Sequence, residues 1–311
     1  MVHLPPKADR PTMYFIGVTT GQSSIMRLFP IWAEALGLGN ACIKGIDIAI
    51  HAPEEDYREA VAFIKNDPMS LGALVTTHKI DLYNACRDML EFVDPYAEMF
   101  GELSSISKDG EKLCAHAKDP ISSGLAMDAF IPKGHWQRYK DAEVCVLGAG
   151  GSALAISAYL ALPKHENDVP ARINLTNRSA PRLSEAVRIL SELRVPMSYH
   201  MCPRPDMNDE IVERLPEGSF VVNATGLGKD RPGSPLTDRC RFPKNGLVWE
   251  LNYRGSLEFM HQAEAQSEER GLFIEDGWTY FIHGWTQVIA EVFHIDVTGE
   301  RLAMCDRLAR Q

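Results

Sequence analysis

Val144-Cys145-Val146-Leu147-Gly148-Ala149-Gly150-Gly151-Ser152-Ala153 is the stretch that decides the fold. Four apolar residues in a row read as a strand buried on both faces, as in parallel sheets. A glycine-rich turn follows at once, and residues 151–162 read as a helix. This is a Gly-x-Gly-x-x-Ala fingerprint in a strand–turn–helix context. Gly148 would allow the tight turn, Gly150 would let the backbone approach a pyrophosphate, and Ala153 would let helix and strand pack closely. Phosphates would rest on the N–H groups of the helix start, which Gly151 and Ser152 open. The same residues without a ligand would be a plain strand-to-helix turn; the context favours the nucleotide site.

Downstream, residues 172–176 read as the next strand and 182–193 as the next helix. Between them stands Leu175-Thr176-Asn177-Arg178-Ser179, with Arg182 shortly after. An NAD site usually places a carboxylate here for the ribose 2′-hydroxyl. A cation in that place can pair with a 2′-phosphate, which points to NADP. A solvated arginine pair is the alternative, but a helix start disfavours cations. Residues 220–224 and 247–251 read as further buried strands. The first ends in Asn223-Ala224-Thr225-Gly226-Leu227-Gly228, where Asn223 and Thr225 could meet ribose or nicotinamide.

Upstream lies a second alternating series. Residues 13–18, 43–50 and 72–77 read as strands. Residues 26–37, 54–65, 80–90 and 96–100 read as helices, and 120–130 as a helix bridging two domains. The expected class is α/β: an N-terminal βαβ series, then a Rossmann-type, doubly wound NADP-binding series beyond the bridge at 120–130. The residues by themselves leave the last long helix to either half. A long apolar helix is expected at about 278–293.

The chain has 311 residues, enough for about two domains. Its 32 Lys plus Arg against 42 Asp plus Glu give a net charge of −10. That opposes general binding to nucleic acid or anionic membranes. Seven cysteines, none at Cys-x-x-Cys spacing, argue against a zinc site or a disulfide framework. No metal is expected. With no signal-like N-terminus and no run of about 18 apolar residues, a cytoplasmic protein is expected, as a monomer or homodimer.

Oxidising an alcohol needs a group that takes the hydroxyl proton. Val75-Thr76-Thr77-His78-Lys79 ends an apolar strand with polar residues, which makes Lys79 a candidate acid/base. Asp119, in His116-Ala117-Lys118-Asp119-Pro120, is its candidate partner. Taken singly, each residue type is more often plain surface.

The order of these pieces resembles the shikimate dehydrogenase family (shikimate/quinate 5-dehydrogenases). That family's Gly-x-Pro-x-x-x-Ser-x-Ser-Pro loop is matched by Gly17 to Met26, and its Gly-x-Asn-Val-Thr-x-Pro-x-Lys by Gly72 to Lys79, one residue shorter. Gly-Ala-x-Asn-Thr is similar to Gly101–Ser105, and Asn-Thr-Asp to Ala117–Asp119. Gly-x-Gly-Gly-Ala, Asn-Arg-Thr and Asn-Ala-Thr-Ser-x-Gly are similar to the stretches at Gly148, Asn177 and Asn223. Asp-x-x-Tyr is similar to Glu250–Tyr253, and the final Asp-Gly motif to Asp276-Gly277 and beyond. The resemblance implies an NADP-dependent dehydrogenase acting on a ring hydroxyl of shikimate or a similar cyclic polyol or hydroxy acid. It also implies an N-terminal βαβ substrate domain, residues 1–120 joined by a C-terminal helical segment 277–311, with 121–276 as the Rossmann-type NADP-binding domain. By the same resemblance Lys79 would accept the hydroxyl proton, and Asp119 would hydrogen-bond the same hydroxyl. Ser23, Thr76, Ser104, Tyr253 and Gln287 would contact the substrate.

The departures concern that substrate. The second serine of the Ser-x-Ser clamp is Ile25. Asparagines of the family stand as Leu74, Ser104 and Ala117, and the glutamine of the last helix as Gly284, leaving Gln287 one turn away. Losing several hydroxyl partners points to a ligand other than shikimate, and Gln22, His78, Lys118 and His283 could supply a new pattern. Quinate, an aminoshikimate or another cyclitol are the alternatives, as is a non-catalytic ligand sensor on the same scaffold. The Lys79–Asp119 pair and the absence of a basic DNA-binding stripe disfavour the sensor.

Overall fold

The computed structural model describes residues 2–162, 167–229 and 231–311. The chain divides into two compact units, one of Met1–Lys118 with Gly284–Gln311 and one of Asp119–His283. We call them the first and second units.

The first unit runs β1 (Thr12–Gly17), α1 (Ser24–Ala35), β2 (Cys42–Asp47), α2 (Glu54–Asn66), β3 (Ser70–Val75), α3 (Lys79–Cys86), β4 (Phe92–Val93), α4 (Pro95–Phe100), β5 (Ser105–Asp109) and β6 (Lys112–His116). Its six strands lie in the order β2-β1-β3-β5-β6-β4. β1 pairs parallel with β2 and β3, and β4 with β6, whereas β5 runs antiparallel to both β3 and β6. In the β5–β6 hairpin Ile106, Leu113 and Ala115 join the core, while Ser105 and Ser107, on the other face of β5, are buried as well. Apolar residues of β1–β3 and α2, among them Tyr14, Ile16, Ile46, Val61 and Val75, form one core. The helix expected over 80–90 stops at Cys86 and tightens into a 3₁₀ turn, Arg87–Met89.

The second unit runs α5 (Asp119–Phe130), α6 (His135–Arg138), β7 (Val144–Leu147), α7 (Gly151–Leu160), β8 (Ile173–Asn177), α8 (Ala180–Leu190), β9 (Met197–Met201), α9 (Pro205–Val212), β10 (Phe220–Asn223), β11 (Leu247–Glu250), α10 (Glu258–Glu264), α11 (Ser267–Arg270) and β12 (Phe273–Glu275). All five pairings are parallel, in the order β12-β11-β10-β7-β8-β9. Counted from β7 this is 3-2-1-4-5-6, the strand order of dinucleotide-binding Rossmann folds. The α/β class and the doubly wound second sheet are those expected from the fingerprint. Cys145, Leu147, Val221, Val248 and Phe259 belong to the core on one face.

The helix α12 (Trp278–Phe293) begins in the second unit and ends in the first. The last helix, α13 (Gly299–Ala309), closes on the first unit through its end: Trp32 Nε1 donates to the Cys305 carbonyl at 2.9 Å. Among the described residues no helix is long and apolar enough to cross a membrane, and no three His, Cys, Asp or Glu cluster as a metal site.

Candidate active site

In the second unit, the strand order reverses between β7 and β10, and the carboxyl ends of these neighbours lie at the sheet's switch point. Gly148 leaves β7 with φ +117°, and a Cβ there would sit 2.7 Å from the Ala224 carbonyl oxygen after β10. The glycine therefore lets the two loops approach each other. Gly150 is the N-cap of α7 and has no side-chain cap. A Cβ on Gly150 would meet nothing within 4 Å, so the cradle before the helix start is open. Gly151 and Ser152 begin α7, and Ser152 Oγ lies 3.2 Å from the Tyr280 hydroxyl. Ala153 is fully buried, as close packing of α7 on the sheet requires.

At the end of β8, Asn177 Oδ1 accepts the Ser179 N–H at 2.9 Å and shapes the turn into α8. Arg178 and Arg182 are exposed. Neither makes an ion pair among the described residues, and the first turn of α8 holds no acidic residue. The helix begins at Ala180, two residues earlier than expected, so Arg182 lies within its first turn. Two cations facing a helix start are poorly placed for stability and well placed for an anion. An open glycine cradle, a helix N-terminus and this arginine pair fit an NADP molecule.

Asn223 is fully buried and is spent on the protein. Its Nδ2 donates to Glu250 at 2.8 Å and to the Leu227 carbonyl at 3.3 Å, and its Oδ1 accepts the Thr225 N–H and hydroxyl. Its side chain thus braces the loop, and Thr225 is the exposed member of the pair. Glu250, at the end of β11, also accepts the Asn252 N–H at 2.9 Å and its side-chain amide at 2.7 Å. Burial pushes the Glu250 carboxyl up to about 7, against the pull of these donors. Sequence reasoning noted Glu250 only as a motif match; nothing in the residue type signals its burial. Tyr253 is half-buried, its ring 4.4 Å from Phe281, with Lys229 Nζ 5.6 Å above it.

In the first unit, the candidate residues gather where β1 and β3 end. Ser23 is the half-buried N-cap of α1, its hydroxyl not used as a cap. Asp47 pins the preceding loop, accepting the Thr20 N–H at 2.8 Å and the Thr20 hydroxyl at 2.6 Å. Thr76 is half-buried, its N–H on the Ile16 carbonyl at 3.0 Å. Thr77 has φ +61°, and the His78 N–H reaches the Thr76 carbonyl at 2.5 Å. A β-branched residue in this tight turn carries strain of about 1–3 kcal/mol. The turn delivers Lys79, half-buried, as the first residue of α3.

Ser104 is buried and committed: its Oγ accepts the Lys118 N–H at 2.8 Å. Gln287 is half-buried on α12. Ile25, Leu74 and Ala117 are all buried and apolar. His78 is buried, its Nδ1 3.3 Å from the Tyr57 hydroxyl and its Nε2 without a hydrogen-bond partner among the described residues. Burial lowers its pKa, as it does that of the buried His283. Gln22 is exposed, while Lys118 is mostly buried against Glu291. In the second unit, Asp119 is half-buried as the first residue of α5, and its carbonyl accepts the Ser123 hydroxyl at 2.8 Å.

No known family profile matches the chain. Among curated proteins, it is similar to a shikimate dehydrogenase (NADP(+)) of Symbiobacterium thermophilum, 27% identical over 237 residues, 76% of this chain and 74% of that one. A shikimate dehydrogenase (NADP(+)) of Streptococcus thermophilus is 25% identical over 215 residues, 68% and 69% of the two chains. In fold, the chain is similar to shikimate dehydrogenase of Aquifex aeolicus, with a TM-score of 0.71 at 20% identity, covering 98% and 99% of the chains. It is also similar to 5-ketofructose reductase of a Gluconobacter strain, with a TM-score of 0.68 at 16% identity, covering 96% and 98%.

Proposed function

We propose that this chain, which resembles the shikimate dehydrogenases in sequence and fold, is an NADP-dependent dehydrogenase that reversibly oxidises a hydroxyl on a small cyclic polyol or hydroxy acid. The observation that carries this is the open Gly148–Gly150 cradle at the switch point of a 3-2-1-4-5-6 sheet, with Arg178 and Arg182 at the next strand end. NADP, when bound, supplies the hydride acceptor. The N–H groups of Gly151, Ser152 and Ala153 hold its pyrophosphate, and Arg178 with Arg182 holds the 2′-phosphate. Lys79 takes the proton of the substrate hydroxyl at its Nζ, and the Asp119 carboxylate accepts a hydrogen bond from the ammonium that forms and so orients it.

The buried, apolar Ile25 at the clamp position supports a substrate with less need of a carboxylate partner than shikimate has. Ser23, Thr76, Tyr253 and Gln287 remain as its polar contacts. The test is absorbance at 340 nm with NADP and with NAD, across shikimate, quinate, myo-inositol and fructose. Turnover with NADP and one of these supports the reading. Tight ligand binding with no turnover of any of them favours a sensor and overturns it.

A further inference from the structure

The residues leading into Asp119 sit in a mostly buried polar cluster of the first unit. Asp94 Oδ2 accepts the Ala117 N–H at 3.0 Å and lies 3.5 Å from His116 Nδ1. Asp94 Oδ1 caps α4 through the Ala97 N–H at 2.7 Å. The other ring nitrogen, His116 Nε2, is 3.0 Å from Glu291 Oε1, which also accepts the Ser107 hydroxyl at 3.4 Å. Glu291 Oε2 takes the Lys118 ammonium. The side chains of Asp94, His116 and Lys118 are only 12% exposed, and that of Glu291 21%.

Burial alone would raise the Glu291 carboxyl. The Lys118 hydrogen bond, with the charges of His116, Lys118 and His294, outweighs it and holds the carboxyl below its usual value. A buried ion pair is weak evidence for stability, since desolvation offsets its attraction. Its location says more. Lys118 is the last residue before the chain leaves the first unit, and Glu291 lies on α12 two turns past Gly284, where the chain returns. One salt bridge therefore ties both crossings together on the first unit's side.

We propose that Glu291 is a positioning residue for Asp119, acting through Lys118. With its ammonium on Glu291 and its N–H on Ser104, Lys118 is held at side chain and backbone alike, and the peptide bond into Asp119 takes its direction from it. Removing the Glu291 charge strands a buried ammonium, which must swing out toward water and turn that peptide. A misplacement of about 1 Å at a reacting group costs about a hundredfold in rate. This rests on the reading of Asp119 given under Proposed function.

The test measures kcat and KM of Glu291→Gln, Lys118→Gln and the double variant with the best substrate of the panel above, and NADPH affinity by fluorescence. In each single variant kcat falls about 10- to 100-fold, with substrate KM and NADPH Kd within about threefold of wild type. The double variant is no worse than the poorer single, and Lys118→Arg restores most of the turnover. Wild-type kcat in both singles, losses that multiply in the double, or a change in KM alone overturns the proposal. Asp119→Asn is measured alongside. If it turns over normally, the functional reading fails and this one with it; if it is crippled while Glu291→Gln is not, only the positioning role fails. Should Glu291→Gln not fold, Lys118→Glu combined with Glu291→Lys decides: recovery of kcat over Lys118→Glu alone supports the tie, and no recovery overturns it.

Discussion

Two glycines two residues apart respond oppositely to a single methyl group. At Gly148 the backbone has φ +117°, and an added Cβ would lie 2.7 Å from the Ala224 carbonyl oxygen and 3.0 Å from its carbon. The conformation costs an alanine about 1–3 kcal/mol, and the contact, against backbone that cannot rotate away, about 1–3 kcal/mol more. The stiffer unfolded chain returns only about 0.4–1 kcal/mol. Gly148→Ala thus loses roughly 1–6 kcal/mol, and at about 2–4 °C per kcal/mol its melting point drops by about 2–24 °C.

At Gly150 φ is −90° and a Cβ meets nothing within 4 Å. Losing glycine at the N-cap costs about 0.5–1 kcal/mol, which the unfolded-state term nearly offsets, so the apo protein melts as the wild type does. The methyl instead fills the cradle. Losing even one charge-assisted hydrogen bond to phosphate, about 1.5–3 kcal/mol, weakens NADPH about 10- to 100-fold. Thermal unfolding of the apo proteins and NADPH titration by fluorescence check both halves. Wild-type NADPH affinity in Gly150→Ala refutes the cradle, and an unaltered melting point in Gly148→Ala refutes the close approach of the two loops.

Three further outcomes are expected. Arg178→Ala weakens NADPH by about 10- to 100-fold and leaves NADH affinity unchanged in parallel titrations. Lys79→Ala loses turnover at 340 nm while keeping wild-type NADPH Kd. Glu250, raised from 4.5 to about 7, holds a proton in the folded state that the unfolded chain has already released between those values. Its contribution to stability is therefore full below about pH 4.5 and is lost as pH rises through 7, by about 3 kcal/mol. Urea unfolding from pH 5 to 8 should show this slope in the wild type, and a shallower one in Glu250→Gln.

The second unit was largely legible because each signal was local. Val144–Leu147 is apolar throughout, Gly148 after it takes φ +117°, and Arg178 stands in place of a carboxylate at a position defined by the strand before it. What stayed hidden depends on packing between distant segments. Ser105 and Ser107 are residue types expected at the surface, yet both are buried, so that β5 is covered on both faces there. Asn223 carries the right functional groups for a ligand, yet the buried Glu250 claims them, and that partnership spans 27 residues. Glu291 and Lys118, 173 residues apart, meet only once α12 has folded. Lys79 is half-legible: the polar end of β3 marks it, but the left-handed turn at Thr77 that aims it is one a β-branched residue gives no reason to expect.

The passage of α12 from one unit to the other has a consequence for how the protein is made. The second unit is an insertion into the first, so it can fold while its host is still incomplete on the ribosome. The host must wait for its final helices: the bond from Trp32 to Cys305 closes a loop of 273 residues. Contacts of such sequence separation make assembly of the first unit slow. Removing the segment from Gly284 onward would leave the dinucleotide fold whole and its neighbour with an open core around Trp32. A chain stalled there would be a cofactor binder before it could be an enzyme.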